Sequence, residues 1–179
     1  MKPTLKVIVT SPEPALPAQF VRTLSTIDVT EHERKVPNPL SATKEEAVLM
    51  LHTGRAEWED VAVQGIALAA AKRYDFTWVT LLRDAHGVII LLPAGSASAL
   101  ENVERLTKLF ARLDLAACLI GVTGGTDAEA GVTAVRAALD AAYPVIACRP
   151  EDPAQVQSAI RMLAGLIQPS GALTPPDSQ

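Results

Sequence analysis

Leu5-Lys6-Val7-Ile8-Val9-Thr10, followed directly by Ser11-Pro12-Glu13-Pro14-Ala15-Leu16-Pro17-Ala18, decides how this chain is read. The first stretch is a short apolar run of the kind that lies buried on both faces of a parallel sheet. The second holds three prolines and no glycine. Pro17–Ile27 then sets Phe20, Val21, Leu24 and Ile27 at the spacing of one helical face. A buried strand, a connection and an amphipathic helix open an α/β fold, whose sheets bind ligands in the crevice at the carboxyl ends of the strands.

Outward from that unit, apolar runs alternate with amphipathic stretches. Asp28–Glu46 is polar, carries Pro37 and Pro39, and reads as a long loop. Ala47–Thr53 and Asp60–Ile66, separated by Gly54–Glu59, predict an antiparallel pair at one edge. Ala69–Leu82 predicts a helix, Gly87–Leu92 (GVIILL) the strongest buried strand, and Ala97–Leu113 a helix capped by Ser96 or Ser98. Ala117–Val122 is a further strand, and Asp127–Ala142 an Ala-rich helix with Asp127 as N-cap. Pro144–Cys148 is a short strand and Pro153–Ile167 the last helix. The pattern predicts an α/β domain over 1–167 with a six-stranded, mostly parallel sheet and helices on both faces. Ala47–Thr53 is its antiparallel edge strand, and the strand from Leu5 lies centrally. Residues 168–179 carry Pro, Gly and Ser without a pattern and read as a flexible C-terminal tail.

Composition narrows the function. The chain has 179 residues, 49% of them hydrophobic and 20% charged, which is ample for one core and excludes a disordered chain. Lys and Arg number 16 against 20 Asp and Glu, a net charge of −4. A mildly acidic chain with no basic cluster is a poor binder of nucleic acid. No apolar run reaches the roughly 18–20 residues that span a bilayer. The N-terminus lacks the form of a signal peptide. Cys118 and Cys148 lie singly in separate apolar runs, so neither a disulfide framework nor a cysteine zinc site is expected, and the reducing cytoplasm is the expected compartment.

Several strings together resemble a known family. KVIVT at Lys6–Thr10, FVRTLS at Phe20–Ser25, ID at Ile27–Asp28, ERKV at Glu33–Val36, RYDFTW at Arg73–Trp78 and LLRDAHGVIILL at Leu81–Leu92 follow one another as in Ras-like small GTPases. They are most similar to the bacterial subfamily related to MglA-type cell-polarity switches. The resemblance runs over about residues 4 to 167. It implies a P-loop NTPase-like small-GTPase fold, with ERKV opening a first switch and RYDFTW lying in a second. It also implies a protein partner of the roadblock-fold dimer class.

The motifs that such a GTPase uses are missing. GxxxxGK[ST] aligns with Ser11–Ala18, so Ser11 and Leu16 replace the glycines, Pro17 the lysine and Ala18 the Mg²⁺-binding hydroxyl. Pro12, Pro14 and Pro17 have no N–H to offer phosphate oxygens, and Glu13 adds a negative charge. DxxG aligns with Ala67-Leu68-Ala69-Ala70, and the water-orienting Gln with Ala71. The first-switch threonine falls near Ala47 or Val48. NKxD aligns with Gly124-Gly125-Thr126-Asp127, where Asp127 is either a helix N-cap or a vestigial base contact. The expected function is therefore that of a pseudo-GTPase: no catalytic residue, no cofactor, no metal, and action through protein contacts. A small-molecule-binding or enzymatic α/β protein that reuses the crevice, and a GTPase with unconventional nucleotide binding, are the alternatives.

Other residues carry less. His32, His52 and His86 are scattered, and His52 near Glu57 and Glu59 is the local candidate for a metal site, the alternative being a surface histidine on an edge strand. No G-x-S-x-G elbow is present. Cys148 reads as a small apolar filler. The acidic groups Glu45-Glu46, Glu57/Glu59/Asp60 and Glu151-Asp152 lie in loops or turns and read as solvated ends rather than acid/base pairs. The apolar second-switch segment Ile66–Ala71, with Tyr74 just beyond it, either packs into the empty nucleotide cleft or docks a partner, and Leu68 and Tyr74 are its candidate interaction surface. Trp58 is a candidate anchor for a partner or a second copy.

Overall fold

A computed structural model describes residues 2–115, 117–124, 127–139 and 143–167. The tail expected over 168–179 and the end of the helix expected to reach Ala142 lie outside the described residues.

Among the described residues, seven strands form one sheet in the order β2-β3-β4-β1-β5-β6-β7. β1 (Thr4–Ser11) is central and pairs in parallel with β4 (Ala62–Ala69) and β5 (Gly87–Pro93). β6 (Cys118–Thr123) and β7 (Val145–Ala147) continue the parallel half. β3 (Glu46–Glu57) is antiparallel both to β4 and to β2 (Thr30–Pro37), which is the edge.

The sheet has one strand more than the sequence predicts. TEHERKVP lacks apolar alternation, and Val36 is its one buried side chain, so nothing in it signals a strand. It pairs because β3, from Glu46 to Glu57, presents to it over Glu46–Thr53 the edge that faces away from β4. Ala47–Thr53 is thus antiparallel, as predicted, but lies inside the edge rather than at it. The expected break at Gly54 is absent as well. Gly54 faces Gly65 across the β3–β4 ladder, and a Cβ on it would stand 2.8 Å from Ser25 Cβ. Glycine continues the strand there because the end of the first helix passes directly over it.

Helices cover both faces. α1 (Ala15–Leu24) and α5 (Pro153–Ile167) pack Phe20, Leu24, Ile160 and Leu163 against Val7, Val9 and Ile89. α3 (Ala97–Arg112) and α4 (Ala128–Ala138) bury Leu106, Phe110, Val132 and Val135 against Ile8, Ile90 and Ile120 on the other side. GVIILL is buried through its whole length, as a central parallel strand requires.

Ala69–Leu82 does not form the predicted helix. Ala67–Ala69 remain in β4, registered against Val9–Ser11, and a 3₁₀ turn over Lys72–Thr77 follows. Only Trp78–Leu81 winds into a single α turn, α2, before a second 3₁₀ turn at Leu82–Asp84. Two residues in this segment explain the break: Trp78 is drawn into the core, edge-on to Phe110 with ring centroids 4.9 Å apart, and Asp75 turns toward α3. No helix among the described residues is long and apolar enough to cross a membrane.

Candidate functional site

The crevice at the carboxyl ends of β1, β4, β5 and β6 is where the topology places a ligand. Its centre is the connection from β1 to α1. Ser11 ends the strand and is fully buried. Its Oγ accepts a hydrogen bond from the Glu13 N–H at 3.0 Å, and its carbonyl accepts one from the Ala70 N–H at 2.9 Å. The Leu16 N–H goes back to the Glu13 carbonyl at 3.2 Å. Of the positions from 12 to 17, Pro12, Pro14 and Pro17 have no N–H and the Glu13 and Leu16 amides are engaged within the loop, which leaves the single Ala15 N–H and no run of consecutive amides to face an anion.

The helix also begins earlier than its apolar pattern predicts, at Ala15 rather than Pro17. Pro17 becomes the third helical residue, still within the first turn, where a missing N–H costs no intrahelical bond. Pro17 and Ala18 are buried and Leu16 is half-buried against the α1/α5 core. Pro14 provides no side-chain cap. The exposed Glu13 carboxylate, just outside the helix start, supplies the negative charge that the positive end of the helix dipole favours. Thr10 Oγ1, on the opposite face of β1, is buried without a hydrogen-bond partner among the described residues.

The neighbouring loops close on each other. The Ala94 N–H donates to the Thr123 carbonyl at 2.8 Å, joining the turns after β5 and β6. Gly95 and Gly124 sit in these turns at φ of 76° and 74°, a conformation that favours glycine. Asp127 accepts from the Ala130 N–H through Oδ1 at 3.1 Å and caps α4, as Ser96 caps α3 through Ala99. The cap role is the one the geometry fills. Gly125 and Thr126 lie outside the described residues.

The segment after β4 is tethered rather than free. Leu68 is buried in the core at 4% exposure and presents no surface. Tyr74 is half-buried, with the Arg73 guanidinium 4.7 Å from its ring centroid and Phe76 edge-on at 6.4 Å. The Thr77 hydroxyl donates to the Tyr74 carbonyl at 2.7 Å. Asp75 Oδ2 lies 3.4 Å from Arg105 Nε on α3. Burial pushes the Asp75 carboxyl above the ordinary aspartate range, against the opposing pull of Arg105 and then Lys72. No local pattern announces this pair: Arg105 reads as one more polar residue on an amphipathic helix.

The remaining candidates lie elsewhere. His52 Nδ1 is 3.8 Å from Glu31 Oε2 on the neighbouring strand, while Glu57 and Glu59 sit beyond it at the far end of β3 and in the turn. Among the described residues no group of three His, Cys, Asp or Glu side chains could hold a metal ion. Cys118 and Cys148 are both buried and free. Burial pushes the Cys118 thiol up to about 12; burial, with Asp152 and Glu151 adding to it, pushes Cys148 up to about 11. Cys148 is a packed apolar group, not a nucleophile. Trp58 is half-buried at the end of the sheet opposite the crevice. No protein-family model matches the chain, and none of the curated proteins is similar to it in sequence.

Proposed function

We propose that this protein is a pseudo-GTPase: a degenerate relative of Ras-like small GTPases of the MglA-related kind that neither binds nor hydrolyses GTP and acts through protein contacts. The observation that carries this reading is the Ser11–Ala18 connection, whose prolines and internal hydrogen bonds leave no cradle of amides for a phosphate. The alanines at 67 and 69–71, with Leu68 in the core, supply no side chain to follow a γ-phosphate or orient water. A nucleotide-driven switch requires two arrangements of this segment. Here it is tied to β1 through Ala70 and to α3 through Asp75 and Arg105.

In this reading the face made by Arg73, Tyr74 and the turns beside them is held in one conformation, and its partner is a roadblock-fold dimer. Binding to such a dimer, measured with GTP, with GDP and without nucleotide, is expected to be the same in all three. Tyr74→Ala and Arg73→Ala are expected to weaken it by at least about tenfold. Binding that required GTP, or GTP or GDP released on denaturing the purified protein, would contradict the reading.

A further inference from the structure

At the end of the sheet opposite the crevice, the turn between β3 and β4 packs against α5. The Trp58 N–H donates to the Val61 carbonyl at 2.9 Å and closes the turn. Lys2 Nζ donates to the Trp58 carbonyl at 2.9 Å and ties it to the start of β1. Arg161, on α5, stacks on the Trp58 ring at 4.9 Å from its centroid and reaches Asp60 Oδ2 at 3.4 Å. The two hydrogen bonds fix the Trp58 backbone, and Arg161 covers one face of the indole, a contact between residues far apart in sequence.

Two hollows share Trp58, Asp60 and Arg161 as a common wall. One, of 280 Å³, is a slot with apolar Leu5, Ile160 and Ala164 beneath it, Pro3 and Val61 beside it, and the polar Asp60 and Arg161 in its shared wall. Above Gly165, at its rim, a Cβ would meet nothing within 4 Å. The other, of 540 Å³, is lined by Glu57, Glu59 and Gln157. Arg161 is neutralised by Asp60, whereas Glu57 and Glu59 are exposed and have no ion-pair partner among the described residues.

We propose that these joined hollows are a docking site for an extended segment of a partner protein that carries an aliphatic side chain beside lysine or arginine. The slot has the volume for one Leu, Ile or Met side chain and an apolar floor to bury it. The cation next to that side chain meets Glu57 and Glu59, which still lack a partner. The same carboxylates repel a phosphate backbone or an anionic lipid surface. Trp58 is an aromatic already held in place, so binding orders little that is not ordered beforehand. The site is remote from the crevice and independent of the nucleotide question, so a partner here and one on the Tyr74 face can be bound together.

The test is a titration of the ¹⁵N-labelled full chain with acetyl-Gly-Lys-Leu-Lys-Gly-amide, followed by NMR. The Trp58 indole N–H and the Gly165 amide are expected to shift saturably. Replacing the peptide's Leu by Ser, or both Lys by Glu, should weaken binding at least about tenfold. Gly165→Leu adds a side chain at the slot's rim, where a Cβ meets nothing within 4 Å, and favours the helix, so it should keep the melting temperature while weakening binding by at least the same factor. Trp58→Ala should abolish the shift of the Gly165 amide. No shift at either signal at millimolar peptide would overturn the proposal, as would equal binding of the Glu peptide. Signals that move with protein concentration alone would make a second copy the occupant. Signals that move in Leu173→Ser without peptide would make it the chain's own C-terminal segment. Either result overturns the proposal too.

Discussion

The two ends of the sheet treat polar groups in opposite ways. At the crevice, Ser11, Glu13, Leu16 and Ala70 satisfy one another's backbone, Asp127 and Ser96 cap their own helices, and the first turn of α1 is proline and aliphatic. At the other end, an indole is held in place beside an apolar slot, and Glu57 and Glu59 remain without partners. The first end is closed by its own chain, and the second has unmet binding capacity. In a fold whose ligands are expected at the carboxyl ends of the strands, the polar groups there are engaged by the chain itself, while unpaired carboxylates lie at the opposite end, where the topology does not call for a ligand.

The largest expected effect breaks the closed end. Ser11→Gly, Leu16→Gly and Pro17→Lys together restore the residue types of a phosphate loop. They remove the Ser11–Glu13 hydrogen bond, some apolar burial, and the restraint of a proline on the unfolded chain. A loss of about 2–4 kcal/mol is expected in denaturant unfolding. GTP hydrolysis should not appear, because Ala70 and Ala71 cannot act on water. Hydrolysis by this variant would contradict the account, because it would mean that the segment at Ala70 and Ala71 can still support attack by water.

Cys148, just beyond β7, tests how tightly the crevice end is packed. With its thiol pushed up to about 11, the thiolate population at pH 8 is about a hundredfold below that of an ordinary thiol. Maleimide labelling of the native protein should be slower by a similar factor and should recover on unfolding. Because the folded thiol holds its proton more tightly, its contribution to stability is intact below the ordinary thiol range. That contribution is lost as pH rises toward 11. Rapid labelling at pH 8 would mean that the crevice end opens readily.

Carboxylates at the two ends should differ in stability terms. Asp127→Ala removes an N-cap and is expected to cost about 1 kcal/mol, matched by Ser96→Ala. Asp60→Ala removes an exposed ion pair and should cost less than about 0.5 kcal/mol. Paired thermal denaturation measures both. A cost for Asp60 as large as for Asp127 would erase the contrast.

The smallest effect concerns Asp75. Its carboxyl is held above the ordinary aspartate range, so the folded state binds that proton more tightly than the unfolded chain does. The resulting stabilisation is full below the unfolded value and is lost as pH rises through the folded one. The wild-type chain should therefore gain on Asp75→Asn as pH falls through the carboxylate range. The reverse trend would make Arg105, rather than burial, the dominant influence.

The parallel half of the fold was legible from the sequence because its signal is intrinsic. Val7–Thr10, Gly87–Leu92 and Cys118–Val122 are apolar on both faces, and a central parallel strand has few alternatives. β2 was not legible: its charged residues become a strand through pairing with β3, a tertiary cause with no local trace. The helix expected at Ala69–Leu82 failed because Ala and Leu suit strand and helix periods alike over so short a run. At the crevice, the proline positions and the Asp127 cap could be read directly, since each acts on its own neighbours. The Asp75–Arg105 and Trp58–Arg161 contacts join residues brought together only by folding, so Trp58 could be singled out while what holds it could not.

The central claim is that the crevice cannot take a nucleoside triphosphate. Calorimetric titration of the wild-type chain with GTP, GDP and ATP in Mg²⁺ tests it most directly. No saturable heat is expected up to millimolar ligand, because phosphate oxygens buried without donors cost roughly 1–3 kcal/mol each, and more when charged. Saturable binding of any of the three in the micromolar range would contradict the account.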